Sequence, residues 1–384
     1  MLFYISKYIL LVLVIFSCYT YLLPTIKVSF KFVKFFWYLL IISFTIFVYF
    51  AVPEESEDLY RYYIVLDYFR KGQASIDIYN YNIPLIAQFI FSFSSIFDSN
   101  GILPSLSTIL WSYFAGSILL DLYKNNKIKL QSFLICLIFL LGNGSVFYII
   151  SAIRYTLAYA IWAYGYYFFL YKNNKNKLFW LFTIIALLIH KSVLLLIPIT
   201  IIYNLIIKKC SSFKIWIRIS LSIFIFFIIF NTSLPAMFFN LIFLDIVGNN
   251  FLAYQNYTLT IGKENIIRFF ILLILVCLEL LSCKKNNCYK ISLPFFILMI
   301  SFVSISMPIF YERLIGLLAI IELPTLVNFY NYKLSNTKQR IIYVCLLLPI
   351  LWLSLFYSVY HLFSHFTFNG EFYQDTMRIL LFKF

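Results

Sequence analysis

Residues 35–52 read FFWYLLIISFTIFVYFAV, eighteen consecutive residues without a charged side chain. A helix of that length rises about 27 Å, close to the thickness of the hydrocarbon core of a bilayer. Lys27, Lys31 and Lys34 precede the run, and an acidic segment that begins PEESED follows it. Because cytoplasmic loops carry an excess of Lys and Arg, this asymmetry predicts a transmembrane helix that leads from the cytoplasm to the outside.

The same alternation of apolar runs and basic segments continues along the chain. The 384 residues are 63% hydrophobic and 12% charged, which leaves too few charges to cover a soluble domain of this size. The pattern predicts an all-α, polytopic integral membrane protein with about 12 transmembrane helices. The run 83–97 is short and contains Pro84 and Gln88, so it predicts a re-entrant or interfacial helix beside a crossing at 102–120.

The net charge of +15 does not indicate nucleic-acid binding. Nineteen of the 30 Lys and Arg residues fall in six short segments between apolar runs, accompanied by a single acid, Asp121. This distribution is typical of cytoplasmic loops rather than of a surface that follows phosphates. Cys283 and Cys288 have no histidine beside them, and His361 and His365 have no third ligand at close spacing. We therefore expect no metal site and no cofactor.

A single transmembrane domain over 1–384 is expected, with outer loops at about 53–82 and 233–264 and an outer tail at 361–384. Most acidic residues, and the bases that lie outside the basic segments, fall on the outer side of this topology. Ionisable groups that border apolar spans cost several kcal/mol unless they are paired or hydrated. They therefore predict a polar cavity that opens to the outer face.

Four ionisable residues are the main candidates for chemistry in that cavity. Arg154 is equally consistent with an anion-binding guanidinium and with an interfacial arginine that extends to water. His190, at the turn of a short hairpin, can move a proton, donate to an anion or serve a structural purpose. Glu312 and Arg313 form either a solvated turn with a weak ion pair or part of the same anion site.

A fifth candidate, Asp58, lies in the segment SEDLYRYY, where Tyr60, Arg61 and Tyr62 follow it. Acidic loops are most often simply solvated. Aromatic rings beside carboxylates also suit sugars, because a ring face stacks on the CH face of a pyranose while the carboxylate accepts its hydroxyls. Both interpretations stay open from the residues alone.

Several of these residues recur in a family pattern. An Arg-x-x-Leu-Ala motif begins at Arg154, and a later apolar helix ends in His-x-Ser at His190, followed by Pro198. Asp58 with its tyrosines and the late Arg313 complete the pattern. The combination resembles the EpsG family of bacterial exopolysaccharide polymerases, relatives of the Wzy O-antigen polymerases. The chain departs from that family at Tyr155, where a glutamine is common.

The resemblance implies a reaction and a location. Such polymerases take oligosaccharide repeat units linked to undecaprenyl diphosphate and work at the outer, periplasmic side of the bacterial inner membrane. They join the units into O-antigen, capsular polysaccharide or exopolysaccharide and release undecaprenyl diphosphate. The expected partners are this lipid-linked oligosaccharide and the bilayer, with a chain-length regulator and a flippase as candidates, and no nucleic acid.

The resemblance also assigns roles to residues of this chain. Arg154 and Arg313 would hold the diphosphate, and His190 would be the base or a diphosphate donor. Asp58 and Glu312 would position the acceptor or serve as the base. The expected catalytic residues are therefore His190, Arg154, Arg313, Asp58 and Glu312. The expected substrate-binding residues are Arg154, Arg313, Lys191, Tyr60, Arg61 and Tyr62.

Three other functions compete with this interpretation. A flippase of lipid-linked oligosaccharide has a similar number of spans and a cationic cavity, but it should show two related halves. A membrane O-acyltransferase should carry a histidine in an early helix, whereas the first histidine here is His190. A channel or ion transporter is favoured mainly by Glu322, which lies inside an apolar run.

Overall fold

The computed structural model describes residues 28–72, 83–126, 130–171, 176–202, 268–273, 297–298, 300–301, 308–324, 326 and 337–368. The first described elements are α1 (Phe30–Tyr49), β1 (Ala51–Pro53), α2 (Asp58–Arg70), α3 (Leu85–Ser95) and α4 (Ile102–Asn126). The central part contains α5 (Leu130–Asn143), α6 (Val146–Ser151), α7 (Ile153–Tyr171), α8 (Asn176–Leu187), a 3-10 helix (Lys191–Leu195) and α9 (Leu196–Ile202). The last elements are α10 (Pro308–Ile321), α11 (Thr337–His365) and β2 (Phe366–Phe368).

The described chain is predominantly helical, as expected for an all-α membrane protein. Among these residues, α1 and the Ile102–Asn125 part of α4 are long and apolar enough to cross a membrane. The predicted total of about 12 spans is not established, because the apolar runs at 3–23 and 213–232 lie outside the described residues. The short helix predicted at 83–97 is present as α3.

Helix α7 is the centre of the described bundle, because α4, α8 and α10 all pack against it. Its side chains are buried over most of its length, and Trp162 stacks on Tyr166 with ring centroids 5.2 Å apart. Gly165 allows α8 to approach closely, since a Cβ added there would lie 2.8 Å from the Cβ of Phe182. The close contact fixes the direction of α7 and therefore the position of the residues at its first turn.

The directions of the helices place Arg154 at one end of the bundle and a group of lysines at the other end. Helices α4 and α7 run parallel, since Tyr167 donates to Asp121 at 2.6 Å near their last turns, and Leu103 and Arg154 line one small cavity near their first turns. Helix α1 runs the other way, with its N-terminus near the last turn of α4. The lysines of the Asp121 end include Lys31, Lys34 and Lys124.

A short antiparallel ladder ties two distant parts of the chain together. Strand β1 follows α1, strand β2 follows α11, and Pro53 lies opposite Phe366. The next pair along the ladder, Glu54 and His365, is hydrogen-bonded, because Glu54 donates its backbone N–H to the carbonyl of His365 at 3.1 Å. Hydrogen-bonded and non-hydrogen-bonded pairs alternate along an antiparallel ladder, so Pro53 and Phe366 form a non-hydrogen-bonded pair. The missing N–H of Pro53 therefore removes no hydrogen bond from the ladder.

The segment predicted as an outer loop at 53–82 is partly helical. Helix α2 forms within it because Leu59, Tyr62 and Leu66 recur at helical spacing and bury one face. The charges between these residues hide this periodicity in the sequence. The second predicted loop, at 233–264, lies outside the described residues.

Two further boundaries differ from the sequence-based expectation. The outer tail expected at 361–384 begins inside α11, which continues to His365 because Leu362 is buried and contributes to a hydrophobic cluster with β1. Glu312 and Arg313, expected in a turn between two spans, lie within α10. The neighbours of these two charges are buried at helical spacing and extend the apolar face of that helix past them.

Candidate functional site

The polar site is built around the break between α5 and α6. Helix α5 ends at Asn143, and the fully buried Arg268 donates from Nε to the carbonyl oxygen of Asn143 at 2.8 Å. A second guanidinium nitrogen of Arg268 contacts the same oxygen. Carbonyls in the last turn of a helix have no donor within the helix, so this arginine supplies one and also opposes the negative end of the helix dipole.

The start of α6 is held by α11. Ser145 has a φ of 56°, a conformation uncommon for a residue with a side chain. The N–H of Val146 donates to Oγ of Ser358 at 2.7 Å, and Ser354 donates to Oδ1 of Asn143 at 3.0 Å. These bonds fix a sharp change of direction, after which the chain enters α7 at its charged end.

Arg154, in the first turn of α7, is oriented by α2. Its Nε donates to the hydroxyl of Tyr62 at 3.2 Å, and its guanidinium carbon lies 4.9 Å from the centroid of that ring. Tyr62 is itself buried in the face that α2 packs against the bundle. The planar guanidinium is therefore held in one orientation rather than free to extend along the surface.

Tyr155 is the centre of a second set of contacts, in which the guanidinium carbon of Arg313 lies 5.2 Å from the ring centroid. The ring centroid of His190 lies 6.3 Å from that of Tyr155. Arg154 precedes Tyr155 on α7, and the charges of Arg154 and Arg313 both act on His190. Two arginines and one histidine, from α7, α10 and the turn after α8, therefore lie close together. We call Arg154, Tyr155, His190 and Arg313 the cationic cluster.

The hydrogen bonds of His190 define its chemical role. The residue lies in the turn between α8 and the 3-10 helix, and its Nδ1 accepts the N–H of Ser192 at 3.2 Å and lies 2.7 Å from Oγ of Ser192. Because a backbone N–H can only donate, the neutral ring carries its proton on Nε2. Burial lowers the pKa of His190 well below its usual value, and the charges of Arg313 and Arg154 lower it further. The neutral ring thus presents a donor.

The remaining predicted site residues are placed less centrally. Asp58 forms an ion pair with Arg61 at 2.9 Å, and their side chains are 38% and 45% exposed. Glu312 lies beside Arg313 on α10, and its charge and that of Asp58 both act on Tyr155. Two other predicted binding residues, Tyr60 and Lys191, are partly exposed, and Lys191 follows His190 in the chain.

A second set of ionisable groups lies next to the cationic cluster and is not among the sequence-based candidates. Nδ1 of His365 lies 3.0 Å from Oε1 of Glu57 and 3.7 Å from a carboxylate oxygen of Glu54. Ser151 donates from Oγ to Oε2 of Glu57 at 2.8 Å. We call Glu54, Glu57, Ser151 and His365 the acid–imidazole cluster. Among the residues described, no group of three or more His, Cys, Asp or Glu side chains is arranged to hold a metal ion.

Aromatic rings connect the two clusters. His361 lies 4.6 Å from His365 and 6.4 Å from Tyr148, measured between ring centroids. Tyr148 in turn lies 6.5 Å from Tyr155, and the guanidinium of Arg268 lies 5.4 Å from its centroid. The rings of His361 and Tyr148 therefore link His365 of one cluster to Tyr155 of the other.

Sequence reasoning missed Arg268 and the pairing of Glu57 with His365, and only Arg268 has a signal in the sequence that could have identified it. Arg268 interrupts the apolar segment NIIRFFILLILV, and a charge inside an apolar run is a signal that could have identified it. The pairing of Glu57 with His365 carries no local signal, because the ladder between β1 and β2 brings these two residues together.

A family model described as the EpsG family matches residues 107–376, more than two thirds of the chain. No curated protein and no solved structure matches the chain significantly. The matched range contains Arg154, His190, Arg313 and His365, whereas α2 precedes it. The chain therefore belongs to the EpsG family, a family of exopolysaccharide and Wzy-like polymerases whose members are membrane proteins.

Proposed function

We propose that this protein joins oligosaccharide repeat units linked to undecaprenyl diphosphate into O-antigen, capsular polysaccharide or exopolysaccharide and releases undecaprenyl diphosphate. Membership of the family supports a polysaccharide polymerase. The observation that carries the finer proposal is that Arg313 and His190 both contact Tyr155, while the charges of Arg154 and Arg313 both act on His190. Such a group of donors matches the part of the substrate on which negative charge develops.

The chemistry of the transfer explains why arginines are suited to this position. Breaking the bond between the anomeric carbon and the diphosphate leaves additional negative charge on the diphosphate oxygens. Fixed donors aimed at those oxygens stabilise the transition state more than the bound substrate. Arg154 and Arg313 each present a planar fork that matches phosphate oxygens, and their contacts with Tyr62 and Tyr155 hold them in place before the substrate binds.

His190 fits the same anion as a neutral donor. Its Nδ1 accepts from Ser192, so its Nε2–H is the group that can reach a phosphate oxygen. A neutral imidazole adds a hydrogen bond without placing a third positive charge beside the two arginines. We therefore assign His190 to the diphosphate rather than to the acceptor hydroxyl.

The distribution of charge supports an outward-facing site. The cationic cluster lies at the end of the bundle opposite to Lys31, Lys34 and Lys124. Under the positive-inside rule those lysines face the cytoplasm, which directs the cluster to the periplasmic side of the inner membrane. Helix α3 exposes Leu85, Phe89 and neighbouring aromatic rings, and with α1 and α4 it borders an apolar groove suited to a polyprenyl tail.

The direct test uses purified full-length protein in proteoliposomes, supplied with lipid-linked repeat units from a strain that lacks the polymerase. We expect a ladder of joined units and release of undecaprenyl diphosphate, and we expect Arg154→Ala to form no ladder. Lys34→Ala is the matched control, because it removes a positive charge at the opposite end of the bundle. Wild-type protein that moves the repeat unit across the bilayer without joining units would instead indicate a flippase.

A further inference from the structure

We propose that Glu57 and His365 form a dyad that accepts the proton of the acceptor sugar hydroxyl, beside the cationic cluster. The proposal rests on the polymerase function proposed above and adds the acceptor side of that site. It assigns proton transfer to a histidine at the end of α11 and leaves His190 to the diphosphate.

The Glu57 carboxylate contacts Ser151 and His365 rather than the N-terminus of α2. Glu57 is the N-cap residue of α2, yet its side chain makes no capping hydrogen bond. One carboxylate oxygen accepts from Ser151 at 2.8 Å, and the other lies 3.0 Å from Nδ1 of His365. The Glu57 side chain is only 13% exposed, whereas that of His365 is 34% exposed. The carboxylate is therefore shielded while the imidazole remains accessible to a substrate.

The fold fixes the imidazole from two sides. The ladder clamps the backbone of His365, because Glu54 donates its N–H to the His365 carbonyl. The ring of Phe147 lies 5.5 Å from that of His365, and the same phenyl ring stacks on His361 at 4.1 Å. A histidine on a free C-terminal tail would have no such constraints, and its ring would not be preorganised for proton transfer.

The start of α2 and the junction of α6 and α7 each hold residues that contact both clusters, which keeps the two clusters close together. Glu57 and Tyr62 lie at the start of α2, and a five-residue separation along a helix corresponds to a rise of about 7.5 Å. Ser151 and Arg154 are likewise three residues apart at the junction of α6 and α7. We place the acceptor hydroxyl, the anomeric carbon and the diphosphate between the two clusters.

The proposed step balances without a further reagent. The acceptor oxygen forms a bond to the anomeric carbon of the donor, and the bond between that carbon and the diphosphate oxygen breaks. The electron pair leaves with undecaprenyl diphosphate, near Arg154 and Arg313. The hydroxyl proton moves to Nε2 of His365, and the Glu57 carboxylate beside Nδ1 stabilises the resulting imidazolium.

The test uses full-length protein in proteoliposomes and measures two quantities, the single-turnover rate of joining and the affinity for undecaprenyl diphosphate. We expect His365→Gln to lower the rate about 100-fold or more, as for loss of a general base, with the affinity unchanged within about twofold. Glu57→Gln should lower the rate about tenfold in the same manner. Asp67→Asn is the matched control, since it removes an exposed carboxylate of α2 that pairs with Arg70, and its rate should stay within about twofold of wild type.

Chemical rescue separates a proton acceptor from a structural histidine. We expect imidazole in solution to raise the rate of His365→Gly about tenfold or more, because the missing base is then supplied. No rescue, an unchanged rate in His365→Gln, or a fall in affinity equal to the fall in rate would each overturn the dyad. A wild-type protein that forms no ladder overturns the proposed function and the dyad together, whereas a wild-type ladder with a fully active His365→Gln overturns the dyad alone.

Discussion

The cationic cluster and the acid–imidazole cluster are neighbours, but different parts of the fold assemble them. Arg154 lies in α7. His190 follows α8 and Arg313 lies within α10, and both of these apolar helices pack against α7. Glu57 and His365 meet only because a ladder of three residues on each side joins the end of α1 to the end of α11. The comparison teaches that helix packing alone forms the anion site, whereas the acceptor site depends on a small tertiary pairing.

Three further substitutions compare the two clusters, and among them the largest effect should come from the loss of an arginine of the cationic cluster. We expect Arg313→Ala to lower the rate of undecaprenyl diphosphate release about 100-fold, because it removes a fixed donor from the developing charge. Arg313→Lys should be intermediate, since a lysine keeps the charge but not the planar fork that lies over Tyr155. The assay is release of undecaprenyl diphosphate in proteoliposomes, and an Arg313→Ala rate equal to wild type would remove Arg313 from the site.

The ladder offers a second, smaller effect that should touch only the acid–imidazole cluster. Thr367 lies opposite Val52 at a hydrogen-bonded position, so Thr367→Pro removes a ladder bond. A lost hydrogen bond of about 1 kcal/mol predicts a rate lower by roughly tenfold or less, with the affinity for undecaprenyl diphosphate unchanged. Thr367→Val keeps the backbone donor and a β-branched side chain, and it should behave as wild type. Equal rates for the two variants would show that the ladder does not position His365.

The smallest effect should separate two adjacent acids at the start of α2. Asp58 is paired with Arg61 where both side chains are more than one third exposed, and exposed ion pairs contribute about 0–1 kcal/mol. We therefore expect Asp58→Asn to change the joining rate less than about threefold. If Asp58→Asn loses as much activity as Glu57→Gln, the acceptor side of the site is centred on Asp58 instead.

Much of the cationic cluster could be predicted from the sequence, for a physical reason. A charged residue inside or beside an apolar run is costly, so the sequence alone predicts that Arg154, His190 and Arg313 have a function. Charge alternation then predicted that they belong to one end of the bundle. Arg268 follows the same rule but was not among the candidates.

The acid–imidazole cluster could not be predicted in this way. Glu57 stands in an acidic segment that resembles a solvated loop, and the helical periodicity of α2 is masked by its charges. The pairing of β1 with β2 joins short apolar segments that have no turn signal between them, because nearly the whole chain separates them. Sequence patterns report local periodicity, whereas this contact depends on how distant helices end at the same place.

The most direct test of the central claim is the affinity of the protein for undecaprenyl diphosphate compared with undecaprenyl monophosphate. If Arg154 and Arg313 hold one diphosphate, wild-type protein should bind the diphosphate at least about tenfold more tightly, and either alanine variant should lose most of that preference. Equal binding of the two lipids by wild type, or a preference that survives both substitutions, would contradict the account.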